Sequence, residues 1–262
     1  MNPSLSQQQA PLRLSKVPQI TLYFWIIKVL STTVGETGAD FLSTTLGYGL
    51  KTTSLIMALL LTGVMINQMR LKRYIPISFW LVVILVSVVG TLVTDLLVDQ
   101  LGITLISANL IFGIALLIVF GIWYAKEHTL AMKSISTLPR EIFYWTAVLF
   151  TFAMGTATGD LVAEKLNLGY GLSTLFFAGL IGTICFFYSK FHLDGILAFW
   201  LVFILTRPLG ASLGDLLSQP QANGGWGWGP TGMSVIFLST ICFLVIYLSI
   251  TRKDALPTAE SD

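Results

Sequence analysis

Apolar residues occur along the chain in eight long runs that are separated by short polar connections. The runs cover residues 20–42, 52–69, 76–97, 105–125, 142–163, 171–189, 195–217 and 232–250. Each run is long enough to cross a bilayer core of about 30 Å as a helix. None shows the alternation of apolar and polar residues that is typical of a barrel strand. The pattern predicts an all-α membrane protein with eight transmembrane helices.

A frame of three residues recurs four times, with Gly ten residues and Asp fifteen residues after a Trp. The four copies are Trp25, Gly35, Asp40; Trp80, Gly90, Asp95; Trp145, Gly155, Asp160; and Trp200, Gly210, Asp215. Because each repeat contains two helices, all four repeats enter the membrane from the same side. The sequence predicts four tandem two-helix repeats with parallel pseudo-symmetry, whose axis lies along the membrane normal.

The distances between the frames divide the chain into two similar halves. The first and third tryptophans are 120 residues apart, as are the second and fourth. We therefore assign residues 18–125 to repeats one and two and residues 142–252 to repeats three and four, with residues 126–141 as the connection. The polar residues 1–17 and 253–262 are predicted tails, the first of them disordered. Residues 1–17 have no apolar segment typical of a signal peptide.

The distribution of charge predicts the orientation. The chain is 55% hydrophobic and only 11% charged, against roughly 25% charged in soluble domains. Eleven cationic residues fall in the tails and in the connections between repeats, whereas the opposite connections hold only Lys51 and Lys165. The eleven are Arg13, Lys16, Arg70, Lys72, Arg73, Lys126, Lys133, Arg140, Lys190, Arg252 and Lys253. The positive-inside rule then places both termini in the cytoplasm.

The first helix of each repeat, which we call the frame helix, has distinct residues at its two ends. Fifteen helical residues span about 22 Å, so Trp and Asp lie near opposite ends. We predict that the four Trp side chains lie at the cytoplasmic membrane interface, with their indoles among the headgroups. The residues ten and fourteen positions after each Trp are small: Gly35 and Ala39, Gly90 and Thr94, Gly155 and Gly159, Gly210 and Gly214. This spacing predicts close packing of the frame helices around a central axis, with the second helices facing lipid.

Two interpretations of the four aspartates are open. An Asp at the end of a helix can accept hydrogen bonds from the backbone of the following loop, and its recurrence would then reflect one ancestral loop. Alternatively, Asp40, Asp95, Asp160 and Asp215 form a negative cluster that binds a cation at the outer mouth. The loop after Asp215, SQPQANGGWGWGPTG, is predicted to lie either among lipid headgroups or over an outward-facing cavity.

Charged residues inside the membrane segments make the repeats unequal. Only repeat one adds Lys28 and Glu36, which lie on one helical edge with Asp40. Only repeat four adds Arg207, which is followed by Pro208. Ionisable residues within a membrane are candidate functional groups that face the interior of a bundle. We predict that Glu36 and Asp40 bind a cation, that Lys28 is a competing counter-charge and that Arg207 lies across the bundle from them.

The chain resembles a bacterial membrane protein family of four tandem repeats of unknown function, each with two transmembrane segments and a tryptophan. The resemblance rests on three stretches: KVPQITLYFWIIKVLSTTVGETGADF, FYWTAVLFTFAMGTATGDL and LAFWLVFILTRPLGASLGDLLSQP. It covers residues 17–253. It implies an integral protein of the bacterial inner membrane and brings no established activity.

Membrane carboxylates outnumber membrane cations by five to two, because Glu36 and the four aspartates face Lys28 and Arg207. This excess predicts a small-cation transporter, with a divalent metal as a candidate cargo and protons as the coupling ion. The alternatives are a channel with an Asp ring and a scaffold or sensor that transports nothing. The chain has no HExxH or GxSxG motif, so we predict no enzyme, no cofactor and no nucleic-acid partner.

Overall fold

The computed structural model describes residues 15–255 and contains eight long helices within that range. They are α1 (Leu22–Asp40), α2 (Leu50–Arg70), α3 (Pro76–Asp95), α4 (Leu105–Glu127), α5 (Leu138–Asp160), α6 (Gly169–Phe191), α7 (Gly195–Ser218) and α8 (Pro230–Thr251). The part of the chain that is described contains no β-strand. The prediction of an all-helical fold is therefore confirmed.

The helices begin where the sequence offers start signals. Thr21 caps α1 by accepting a hydrogen bond from the Phe24 amide, and Asp194 caps α7 by accepting from the amides of Ile196 and Leu197. Proline occupies the first turn of α3, α5 and α8, where its missing N–H leaves no helical hydrogen bond unmade. Three frame helices continue directly into a π-helical turn. These turns are Phe41–Thr45, Leu96–Gln100 and Leu161–Lys165.

Seven of the eight helices, α2 to α8, are long and apolar enough to cross a membrane. The remaining helix, α1, carries Lys28, Glu36 and Asp40 within its 19 residues. The described chain thus has the composition and helix lengths of a multi-pass membrane protein.

The four frame helices form a closed ring. Helix α1 packs against α3, α3 against α5, α5 against α7, and α7 again against α1. Each of the other helices packs on the frame helix of the next repeat: α2 on α3, α4 on α5, α6 on α7 and α8 on α1. These outer helices expose large apolar side chains such as Leu59, Leu117, Leu175 and Phe243. The arrangement buries the frame helices and leaves an apolar outer surface.

The same close contact joins each pair of neighbours in the ring. The frame glycine of one helix lies against the residue seven positions after the Trp of the next helix. A Cβ on Gly35 would lie 2.0 Å from Ser87, on Gly90 2.7 Å from Phe152, on Gly155 2.3 Å from Arg207, and on Gly210 2.0 Å from Thr32. A methyl group fits at none of these four contacts, so the helices approach at the distance that only glycine permits.

Replacing Gly90 with alanine is expected to lower the free energy of unfolding by about 1–3 kcal/mol. The added Cβ would meet Phe152 Cβ at 2.7 Å and the Ala153 amide nitrogen at 3.2 Å, and that backbone cannot move without shifting α5. Denaturation with SDS in mixed micelles measures the change. Gly38→Ala is the control, because its Cβ would meet nothing closer than 3.8 Å. Equal stability of the two variants would contradict the close packing of α3 on α5.

The tryptophans differ from the prediction that they lie among headgroups. Trp80, Trp145 and Trp200 are buried inside the protein, and only Trp25 is partly exposed. Phe79 packs on Trp145 with ring centroids 5.3 Å apart, and the Trp200 indole donates to a carbonyl of the chain rather than to lipid. The ring of four frame helices brings their aromatic ends together, and these side chains fill the space between them. They form an aromatic cluster that closes this end of the ring.

The segments that precede α1 and follow α8 in the sequence pack onto the end of the ring that holds the aromatic cluster. The Lys16 ammonium donates to the Glu141 carboxylate at 2.6 Å, and both side chains are buried. The Gln19 amide donates to the Asp254 carbonyl at 2.8 Å. Burial raises the pKa of Asp254, although the Tyr74 hydroxyl donates to its carboxylate.

The boundaries of the tails differ from the prediction. Residues 15–17 and 253–255 belong to the folded structure, because Lys16, Val17 and Asp254 are buried against the helices. The remainder of the predicted tails, residues 1–14 and 256–262, lies outside the described residues.

Candidate functional site

A buried ion pair lies at the centre of the ring. Arg207 on α7 contacts Glu36 on the neighbouring helix α1, with an Nη2–Oε2 distance of 3.1 Å. The same Nη2 donates to the hydroxyls of Thr91 on α3 and of Thr156 on α5, the latter at 2.6 Å. Nη1 donates to the Thr32 carbonyl at 3.3 Å. One guanidinium therefore joins all four frame helices.

The repeat explains how these groups meet. Glu36, Thr91 and Thr156 all lie eleven residues after their frame Trp, and repeat four has Ala211 at that position. Equivalent positions in a ring with parallel pseudo-symmetry lie at the same height around the axis. Arg207 lies four residues before Ala211, which is about one helical turn nearer to the frame Trp. The small side chain of Ala211 adds no competing polar group beside the guanidinium.

Glycine sets the backbone positions around the pair. Gly155 lies directly against the Arg207 side chain, and an added Cβ would be 2.3 Å from its Cγ. Gly214 lies against Glu36, where a Cβ would be 3.3 Å from the Glu36 Cβ, and Gly159 lies against Ala211. The small residues of the frame thus allow the long charged side chains to lie between close helices.

Lys28 lies nearer the aromatic end and differs from its predicted role as the counter-charge of Glu36. Its ammonium lies 4.2 Å from the ring centroids of Phe152 and Phe203, and it donates to the Thr206 hydroxyl at 3.4 Å. Within residues 15–255 no carboxylate oxygen lies within salt-bridge distance of it. Two aromatic faces and one hydroxyl stabilise this buried cation.

The four aspartates lie at the ring's other end, opposite the aromatic cluster. Asp40, Asp95 and Asp160 are the last residues of their α-helices, and none caps the following π-helical turn through its side chain. The hydrogen bonds that the capping interpretation requires are therefore absent at these three turns.

The described residues contain no group of three or more His, Cys, Asp or Glu side chains arranged to hold a metal ion. The four aspartates share one end of the ring without converging on one point. Metal coordination thus has no pre-formed set of carboxylate and imidazole ligands in this part of the chain.

A lateral cavity of about 760 Å³ opens between α1, α6 and α7. Its walls are mainly apolar, and Trp25, Phe199 and Lys133 contribute to them. Thr206 also lines it, and the hydroxyl of Thr206 is the group that contacts Lys28. One side chain thus connects the outer surface of the ring to the buried ammonium.

Sequence reasoning missed three hydroxyl groups of this site. Thr91, Thr156 and Thr206 carry little signal individually, because isolated threonines are common in membrane helices. Alignment of the four frames would have found the first two, since they occupy the position that holds Glu36 in repeat one. Thr206 precedes Arg207 and carried no comparable signal.

The closed ring, its apolar outer helices and its buried charges define a multi-pass α-helical membrane protein built from four two-helix repeats. The chain belongs to the family described as Repeat of Unknown Function (DUF347). The family profile matches it four times, at residues 23–74, 78–129, 143–192 and 198–254. Each match covers one frame helix and the helix that follows it. No curated protein and no solved structure shows significant similarity to the chain.

Proposed function

We propose that the protein is a small-cation transporter of the bacterial inner membrane, coupled to protons, in which Glu36 binds the cation and Arg207 competes for it. The supporting observation is the Glu36–Arg207 pair at the centre of the ring. Helix α1 would cross the membrane with the others, because it lies in a ring with three apolar helices of similar length. Both termini would lie in the cytoplasm, on the side that carries most of the Lys and Arg residues.

Competition for one carboxylate provides a mechanism. With no cargo, the guanidinium of Arg207 neutralises Glu36. A cation or proton that reaches Glu36 replaces that charge and releases Arg207. Removing one partner from a buried ion pair is costly, so Glu36 must have either Arg207 or the cargo at all times. Such an obligatory exchange would couple the flux of the cation to the flux of protons.

The order of groups along the axis supports entry from the acidic end. The four aspartates come first, followed by Glu36 and Arg207, then Lys28, and finally the aromatic cluster. A cation is attracted by the carboxylates and repelled by Lys28 if it passes the ion pair. Release on the other side would require a second conformation in which the aromatic cluster opens.

Helix α7 is the element best suited to such a movement. Pro208 follows Arg207 directly and leaves one carbonyl of the helix without its usual N–H partner. Helix α7 meets α1 through Gly210 and Gly214, whose lack of side chains permits two helices to slide. A shift of α7 against α1 would separate Arg207 from Glu36. Because Arg207 and Phe203 are buried, and Arg207 bonds to the other three frame helices, this movement is favoured over an open channel with an Asp ring.

Replacing Glu36 with glutamine is expected to abolish coupled transport. The test measures proton flux in proteoliposomes when gradients of Na⁺, K⁺ or Mn²⁺ are imposed, with a pH-sensitive dye inside. Wild-type protein should move protons in response to at least one gradient, whereas Glu36→Gln should match protein-free liposomes. Asp99→Asn is the control, because Asp99 is an exposed acid at the same end of the ring. Unchanged flux in Glu36→Gln would overturn the proposal.

A further inference from the structure

A second cavity, of about 740 Å³, lies at the acidic end between the turn after α1 and the loop that follows α7. Its volume falls within the range of small-molecule sites, about 300–1,000 Å³, and greatly exceeds the space that one metal ion needs. Asp40 is the only frame aspartate that lines it. The other lining residues include Thr44, Thr45, Ser218, Gln219 and Trp226.

The loop after α7 folds back onto the helix and so places an indole in the cavity wall. The amides of Trp226 and Trp228 donate to the carbonyls of Leu216 and Leu217, at 2.7 and 3.1 Å. Gly225 permits this fold, because a Cβ there would lie 2.1 Å from the Gln219 carbonyl oxygen. Trp226 thus occupies a defined position even though its ring is half exposed.

The polar groups of the cavity are incompletely paired within the described residues. The Asp40 carboxylate accepts only a long hydrogen bond of 3.4 Å, from the Gln219 side chain. The Thr45 side chain also lines the cavity, and because it is exposed its hydroxyl is accessible to a ligand.

We propose that this cavity binds a small organic cation that carries an ammonium group and a hydrogen-bonding group. The Asp40 carboxylate supplies the negative charge, the Trp226 indole supplies an aromatic face for the ammonium, and the Thr45 hydroxyl bonds to the polar group. A divalent metal ion takes six or more oxygen ligands, usually with several carboxylates, and only one carboxylate lines the wall. The cavity therefore favours an organic cation over a metal ion.

This inference rests on the proposed function, for which it names the class of cargo. Asp40 lies four residues after Glu36, which is about one turn along the same edge of α1. A cation held at Asp40 therefore lies one turn from the carboxylate that Arg207 occupies. The cavity would be the entry site, and Glu36 the central site.

Choline serves as the probe, because it combines a quaternary ammonium with a hydroxyl group. Isothermal titration calorimetry on the full chain in detergent measures its affinity. The uncharged carbon analogue of choline should bind roughly tenfold more weakly or not at all, since a cation–π contact contributes up to about 2 kcal/mol. Asp40→Asn should weaken choline binding at least as much, and Trp226→Leu roughly fivefold.

Two matched controls separate local effects from misfolding. Trp228→Leu removes the neighbouring indole, which does not line the cavity, and Asp99→Asn removes an exposed charge at the same end. Both should bind choline like the wild type. Equal affinity for choline and its uncharged analogue, or choline binding that survives Asp40→Asn and Trp226→Leu, would overturn the inference.

The outcome distinguishes this inference from the proposed function. Choline binding that depends on Asp40 and Trp226, without any flux in proteoliposomes, would support the site and contradict transport. Proton flux driven by inorganic cations, without choline binding, would support transport and contradict the cavity as an organic-cation site.

Discussion

Replacing Arg207 with leucine is expected to lower the free energy of unfolding by about 3–5 kcal/mol. The guanidinium is fully buried and donates to Glu36, Thr91 and Thr156. Its removal leaves the Glu36 carboxylate without its cationic partner in the middle of the ring. Denaturation with SDS in mixed micelles measures the loss.

Substitutions taken from the other repeats provide the matched control for Arg207→Leu. The double variant Glu36→Thr with Arg207→Thr places at both positions a residue that another repeat already has there. Removing both charges should restore much of the lost stability, because the main cost of the single variant is the buried Glu36 charge without a partner. A double variant as unstable as Arg207→Leu alone would contradict the pairing as the source of the effect.

Replacing Lys28 with methionine is expected to raise the free energy of unfolding by about 1–3 kcal/mol, because it removes buried donors that are incompletely hydrogen-bonded. The ammonium is buried, and its contacts with Phe152, Phe203 and Thr206 replace only part of its hydration. The corresponding positions of repeats two, three and four hold Val83, Val148 and Phe203, so an apolar side chain suits this place in the ring. Denaturation with SDS again measures the change.

Lys51→Met is the control for Lys28→Met, because Lys51 is exposed at the start of α2. Its unfolding free energy should stay within about 0.5 kcal/mol of the wild type. Under the proposed function, Lys28 lowers the stability of the fold and repels a cation that has passed Glu36. Lower stability of Lys28→Met would contradict the view that the ammonium is a cost to the fold.

The repeat predicted most of the architecture, because apolar run length and the spacing of Trp, Gly and Asp are local properties of the chain. The frame glycines lie at the contacts between neighbouring frame helices, and the outer helices face away from the ring. The sequence did not predict that each outer helix packs on the next repeat rather than on its own frame helix. That choice depends on packing over the whole ring, which no single repeat encodes.

The candidate site was predictable only in part. The asymmetric charges Glu36 and Arg207 stood out in apolar helices, but the sequence predicted them across the bundle from each other, whereas they lie on neighbouring frame helices of the ring. The aromatic contacts of Lys28 were not predictable, because Phe152 and Phe203 are indistinguishable from lipid-facing residues in the sequence. The sequence also predicts tryptophans at the membrane interface, because indoles are typical of the headgroup region, whereas three of the four fill the end of the ring.

Proton flux driven by an imposed cation gradient tests the role of the Glu36–Arg207 pair most directly. Wild-type protein and Glu36→Gln are compared in the same proteoliposomes, with choline added to the gradients of Na⁺, K⁺ and Mn²⁺. Exchange of Arg207 for the cargo at Glu36 predicts flux in the wild type and none in Glu36→Gln. Coupled flux that persists in Glu36→Gln would contradict it.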